Sequence, residues 1–461
     1  MKKVIALSSL AFVSTLAFAD ADMQKQIDDL KAQLEKLEKS QSTQDQQISK
    51  VNAQSAKDNI KFDVDFRTSY DALSYETASG EKFHNDALYS NRLWLGMGYA
   101  PTEEMIFKGQ LAFNKAFGAS AFEGTMPQRG YSYDTFDWVV NETLTDDTLK
   151  VREAYWLWMP TVGGLQTTLS VGRRPSTNGS LINLREDDKE QSPLGHVINM
   201  EFDGASASVK LDQILQGMSF KVCLGRGLTN AKSWANSDGM NYLDANGTLD
   251  TADMYGFIFV PYNDGQYSVK TTWYRGMNLP GVNMSTGALD TRGDMDGAAI
   301  SLMSNGVGEE INDFLDETIV FASFATSMSH PDSGKTMLGS DESKKGYSYW
   351  LGTQMPNLTG GKFGLEFNHG SSNWRPFTYG EDTMIGSKIA ARGEAYEAYW
   401  TQPIIDDVFS MQVRYTRIDY DYTGSNAFFG DYSNPLSIDD QYAANAVKTA
   451  SDLRVYFRYR Y

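Results

Sequence analysis

The stretch Asp452-Leu453-Arg454-Val455-Tyr456-Phe457-Arg458-Tyr459-Arg460-Tyr461 alternates residue by residue. Leu453, Val455, Phe457, Tyr459 and Tyr461 share one face. Arg454, Arg458 and Arg460 share the other, with Tyr456 among them. Period-two alternation marks a strand with one apolar and one polar face. Arginines opposite an apolar face do not suit a soluble core. They suit a barrel whose outside meets lipid and whose inside meets water.

Working back from that strand, the same pattern recurs to Asn59. Sixteen candidate strands centre on 60–70, 89–100, 104–116, 149–159, 164–174, 198–210, 217–227, 252–261, 265–277, 297–305, 316–328, 346–356, 361–371, 393–402, 408–421 and 452–461. Many have the length of about 10 residues that a tilted spanning strand needs. Short connections carry turn residues at 100–103, 160–163, 263–265, 357–360 and 403–406. Long ones cover about 71–88, 117–148, 175–197, 228–251, 278–296, 329–345, 372–392 and 422–451. Short turns at one end and long loops at the other is a transmembrane barrel layout. The expected fold class is all-β: an antiparallel transmembrane β-barrel of sixteen strands over residues 59–461, preceded by a short α-helical coiled coil.

The N-terminal region reads differently. Lys2 and Lys3, a mostly apolar stretch from Val4 to Phe18 and the Ala17-Phe18-Ala19 site read as a signal peptide over residues 1–19. Residues 20–58 lack Gly, Pro and aromatic side chains. Ile27, Leu30, Leu34, Leu37, Ile48 and Val51 fall on one heptad seam, interrupted by Gln41 and Gln44. That frame reads as a coiled-coil stalk, with a solvated linker as the alternative. An even strand count puts both barrel ends, and so the stalk, on the short-turn side.

Composition agrees. The chain holds 25 Tyr, 24 Phe, 9 Trp and 40 Gly but only 12 Pro, which suits aromatic girdles and many turns. A single cysteine, Cys223, excludes an intrachain disulfide, and a closed barrel needs none. The net charge of −18 argues against nucleic-acid binding.

Over residues 59–461 this arrangement resembles the general and substrate-selective bacterial porins. The resemblance rests on architecture, on the Tyr461 ending and on stretches such as Val151-Arg152-Glu153-Ala154-Tyr155-Trp156. The preceding helix looks like that of porins with a periplasmic coiled coil, and the nearest relatives form an uncharacterised porin-like family. The resemblance implies an outer-membrane location with the stalk in the periplasm, a homotrimer, and passive diffusion of small hydrophilic solutes or ions. It also implies that the assembly machinery reads the terminal aromatic, here Tyr461. A stalk of this kind would reach the cell wall or a periplasmic partner, so a structural tether is a second function to weigh.

Selectivity in such a pore comes from a constriction. The third long loop, with Arg185, Glu186, Asp187 and Asp188, is the candidate, against a solvated external loop. Alternation turns Arg67, Lys108, Arg414, Arg454 and Arg458 to the lumen. Arg152 and Arg174 join them, although the consecutive Arg173 and Arg174 leave that facing open. A basic wall opposite an acidic loop makes a transverse field and a weak preference for anions or small carboxylates. The other reading pairs these arginines with wall acids such as Asp63 and Asp65.

No cofactor, metal site or catalytic signature is expected. His369-Gly370-Ser371 resembles the His-x-Ser pair of outer-membrane phospholipases, yet it continues the outward face of Phe363, Leu365 and Phe367. His84, His196 and His330 are scattered singly. Trp94 and Trp156 would line a sugar path only if both faced inward.

Overall fold

A strand with one apolar face leaves backbone donors and acceptors on both edges, and lipid offers them no partner. The chain meets this demand by closure. The structure is a computed structural model that describes residues 60–119, 144, 148–176, 178–231, 241–244, 249–282, 289–308, 311–378, 384–425, 429–430 and 433–461. The expected signal peptide, stalk and most of loop 117–148 lie outside the described residues.

The wall comprises β1 (Lys61–Thr77), β2 (Lys82–Tyr99), β3 (Met105–Ala116), β4 (Lys150–Trp158), β5 (Leu165–Ser176), β6 (Ile198–Lys210), β7 (Ser219–Leu228) and β8 (Ala252–Asn263). It continues through β9 (Tyr267–Val282), β10 (Leu289–Asn305), β11 (Ile319–Pro331), β12 (Lys345–Pro356), β13 (Lys362–Gly370), β14 (Gly393–Ile405), β15 (Phe409–Tyr420) and β16 (Val447–Arg460). Each pairs antiparallel with the next. β1 then pairs with β16, from Asp65 opposite Arg460 to Thr77 opposite Val447. The result is a closed antiparallel sixteen-stranded barrel. Large apolar side chains such as Phe62, Trp156, Leu302, Leu351, Phe457 and Tyr459 project outward and stay exposed.

Two connections are shorter than expected. β1 and β2 run on through most of 71–88 and turn near Gly80, and β9 and β10 consume most of 278–296. The cause is physical. Beyond an apolar belt the outward face no longer has to be apolar, so Ala72, Ser74 and Glu76 hide a ladder that hydrogen bonding still continues.

The inside is packed as well. Leu194, Val197 and Ile198 meet Trp374 and Phe377 from the β13–β14 connection, Leu338 from the β11–β12 connection, and wall residues Tyr274, Met295, Ala299 and Ala325. The lumen, expected to meet water and to be narrowed by one loop, is thus partly filled by several of its own connections. Each large apolar side chain so buried favours the packed state by roughly 1.5–3 kcal/mol.

At the seam, Arg454 of β16 donates to Asp71 of β1, and both are 0% exposed. Removing one member strands a buried charge, which costs about 3–5 kcal/mol, whereas replacing both with apolar residues is often near neutral. Arg454→Leu is therefore expected to lower the temperature at which the compact band is lost on semi-native gels. Asp71→Leu with Arg454→Leu is expected to recover the larger part of that loss.

Candidate functional site

The site begins with the segment between β5 and β6. Gly179–Ser180 pairs in parallel with Gln191–Leu194, and a short helix, α1 (Ile182–Glu186), lies between them. Leu181 at φ 81° and Asp187 at φ 53° bracket the helix, so two non-glycine residues stand in the left-handed region at its ends. Such positions cost on the order of 1–3 kcal/mol and persist where surrounding contacts over-determine them. Those contacts come from the barrel wall.

Arg185 is 1% exposed. Its Nη1 donates to both carboxylate oxygens of Glu397 on β14 at 3.0 Å, and its Nε to Glu186 Oε1 at 2.9 Å. Glu186 also accepts from Arg414 Nη1 on β15 at 2.9 Å, and Arg67 Nη1 on β1 stands 3.7 Å from its Oε2. Its backbone oxygen accepts from Arg458 Nη1 and Arg460 Nη2, each at 2.7 Å. Asp188 Oδ1 accepts from Arg458 Nη2 at 2.8 Å and Arg460 Nη2 at 2.7 Å. Asp187 pairs with Lys362 of β13, and Glu190 with Lys270 of β9. Gln354 and Gln412 donate to the carbonyls of Leu184 and Arg185 at 2.8 and 2.9 Å.

The loop therefore lies within the barrel, against strands β9 to β16 and β1. It does not stand across an open gap from the arginines, as a transverse field would need. Arg67, Arg414 and Arg458 reach its acidic run directly, while Arg454 reaches Asp71. Arg458 also donates to Asp65, so both ways of pairing weighed from the sequence occur at once.

The remaining wall residues fall elsewhere. Arg152 and Arg92 both lie over the Trp94 ring, at 4.1 and 3.7 Å from the ring centroid. Arg152 Nη1 donates to Gln110 at 2.6 Å and its Nε stands 3.0 Å from Glu201. Arg174 faces Tyr155 and donates to Ser206, whereas Arg173 Nε reaches the Val151 carbonyl at 2.7 Å. Gly172, at φ 131° and opposite Tyr155, directly precedes this pair. Lys108 is exposed on β3. Trp94 is buried and Trp156 exposed, so the two do not share a path.

The histidines are not solitary, as their sequence spacing suggested. His196 is 0% exposed, with Nδ1 2.8 Å from Ser323 Oγ and Nε2 3.0 Å from Ser348 Oγ. Trp350 and Trp374 meet it edge-on. Ser348 Oγ also donates to Asn368 Oδ1 at 3.0 Å, and Ser323 Oγ to the Ile300 carbonyl at 3.2 Å. His330 bonds Asp296 at 2.8 Å, and Arg275 binds the same carboxylate through two nitrogens. His369 stacks on Tyr349, and Ser371 Oγ accepts from the Tyr347 amide. Among the described residues no cluster of His, Cys, Asp and Glu is arranged to hold a metal.

Alternation placed Gln412 inward beside Arg414, but sequence reading missed Gln354, Glu397, Glu366 and Lys388, the last of which pairs with both Glu366 and Glu397. Alternation carried the signal for Glu397, since Tyr396, Ala398 and Trp400 occupy the outward phase of β14. Its partner Arg185 lies 212 residues away, which no local pattern reveals.

An apolar-coated closed barrel holding a charged, inserted loop defines an antiparallel transmembrane β-barrel with a partly filled interior. The chain belongs to the DUF3373 family, described as a protein of unknown function, whose model matches residues 82–461. Solved structures of similar shape include Salmonella typhi OmpF in complex with daunomycin, at 11% identity and TM-score 0.45 over 87% of this chain and 98% of that one. Pseudomonas putida OprB at high pH is 10% identical with TM-score 0.46, over 87% and 94% of the two chains. The trimer form of Vibrio cholerae OmpT is 10% identical with TM-score 0.44, over 87% and 99%. At such identity a likeness speaks of shape alone. No curated protein matches the sequence significantly.

His196 yields a pH dependence. Burial holds its pKa at about 3, against an ordinary 6.5. A released His196 binds a proton that the docked one refuses, so docking loses stability as pH falls from about 6.5 toward 3. Hydrogen exchange of peptides spanning 178–197 is expected to lose protection between pH 7 and pH 4.5, after correction for intrinsic rates. In His196→Gln that pH step should vanish; a step of unchanged size would assign it to another group.

Proposed function

We propose that this chain is a bacterial outer-membrane channel for passive diffusion of small hydrophilic solutes or ions, narrowed by the loop around α1. The observation that carries this reading is the pairing of an apolar outside with a charged inside that holds its own constricting segment. Exposed Asp187, Lys189 and Glu190 on that segment keep part of the lumen polar and wet. Hydrolysis is not part of the reading: His369 and Ser371 lie on the outward phase of β13 and beside it, each engaged with neighbouring tyrosines. The weak preference for anions or small carboxylates belongs to this proposal, as do a homotrimer, a periplasmic stalk over residues 20–58 and recognition of Tyr461 during assembly.

The experiment is conductance of the purified, folded protein in a planar bilayer, with reversal potential under a salt gradient. Discrete steps are expected, in groups of three for a trimer. Silence from verified folded protein would overturn the channel and favour a tether between outer membrane and cell wall, which the packed interior would also suit. Deletion of residues 21–58 is expected to leave unit conductance intact and to lose either the trimer or envelope attachment.

Replacing Arg414 and Arg458 together with Gln bears on the arginines. Both are buried against the loop and Asp65, so their loss is expected to disturb docking, seen as noisier and larger openings, more than ion preference. A clean change of reversal potential at unaltered conductance would return the arginines to the role of filter.

A further inference from the structure

The segment around α1 fastens to β13–β16 and β1. Half-way round the ring, on β7, the inward residues Lys221, Cys223 and Gly225 keep part of their exposure, whereas Gln412, Arg414, Arg454 and Tyr456 on β15 and β16 are buried. The inner face of β5–β8 is also low. Glycine stands at 172, 204 and 225 in one cross-strand row, and the next inward row runs Ser170, Ser206, Cys223 and Gly256. Against that face lies a cavity of about 30 Å³, with room for roughly two water molecules or one carboxylate group. Arg174 and Lys221 line it, together with Ile198, Met254 and Ile258. Arg174 differs from the arginines that hold the loop. Among the described residues it has no carboxylate within ion-pair distance, its Nη1 donates to Ser206, and its Nε is buried without an acceptor. Ser206 lies opposite Cys223, and Lys221 is the adjacent inward residue on β7, so the two cations converge on one place. Glu153, whose field reaches Arg174, is already matched by Arg152 at 3.3 Å. A buried guanidinium N–H left unmet costs free energy that a carboxylate, accepting two parallel N–H bonds, would recover.

We infer that Arg174 and Lys221 form a lumenal binding site for small organic carboxylates, the carboxylate meeting the Nε edge of Arg174 and the apolar part of the solute lying on Ile198, Met254 and Ile258. This inference rests on the channel reading and deepens it by naming the solute class. Arginine suits the role because its planar fork matches the two oxygens of a carboxylate. Lys221 adds a second positive charge on the same face of β7 as Cys223. An inorganic anion would meet the two charges but leave the apolar wall unused. Pro193, from the inserted loop, lines the same cavity, so a solute held there also touches the segment that narrows the lumen.

Cys223 lines the cavity and is the sole thiol of the chain, so it reports occupancy without any substitution. In the folded, detergent-extracted protein its modification is followed by mass, with an anionic and a cationic thiosulfonate of similar size. The anionic reagent is expected to react faster, and butyrate to slow it severalfold where chloride at equal ionic strength does not. Arg174→Gln should slow the anionic reaction about fivefold, the order that a unit charge about 4 Å away produces in water, and abolish protection by butyrate. Arg174→Lys, which keeps the charge and loses the fork, should retain most of the rate and still lose the protection, and it guards against a folding defect in Arg174→Gln. Equal protection by chloride and butyrate, or protection that survives Arg174→Gln, would overturn the site. So would a thiol that neither reagent reaches in verified folded protein. Any of these results beside stepwise conductance leaves the channel standing. Protection by butyrate in a protein that never conducts keeps the site and sinks the channel instead.

Discussion

The structure depends on the seam between β1 and β16. A sheet of this length, bounded by lipid, cannot leave an edge, because unpaired amides and carbonyls have no solvent there. Pairing the first strand with the last removes both edges at once. It also brings Asp65, Arg67 and Asp71 beside Arg454, Arg458 and Arg460. The covalently distant ends of the barrel thereby share one patch of charge, and that patch is where the inserted loop finds its partners.

Buried charge in this barrel acts as a fastening. Burying an ion pair brings little net stability, while breaking one is expensive. Arg185, Glu186 and Asp188 together engage β1, β14, β15 and β16, so undocking the loop would expose several half-pairs simultaneously. The left-handed Leu181 and Asp187 then make sense as strain tolerated within a heavily constrained segment. His196 fastens the same segment at its other end without charge, using two serine hydroxyls and the edges of two indoles.

The wall was legible from the sequence because lipid enforces alternation. Leu453 to Tyr459 and Met411 to Tyr415 have one inward and one outward reading, and the structure has the same phase. Where lipid ends, the signal ends too, which is why the upper parts of β1 and β2 read as a loop. The site was legible in its membership and not in its arrangement. Arg414, Arg458 and the Glu186–Asp188 run were found by phase and by composition. That they touch follows from the path of a loop through the barrel, and its anchors at Gln354, Glu397 and Gln412 lie more than 165 residues further along the chain. Lone histidines gave no hint either, since His196 owes its partners to β11 and β12.

The fastened loop also bears on how such a chain can diverge. On the side from β9 to β16, inward residues answer to one another, and a change at Glu397 or Arg414 must be matched by a neighbour. At the short-turn ends of β1 and β3, by contrast, Lys61 and Lys108 stay exposed. The barrel thus separates two kinds of heritable change: positions fastened to the loop or to the seam change only in matched pairs, while exposed strand ends are free to drift in charge without refolding the molecule.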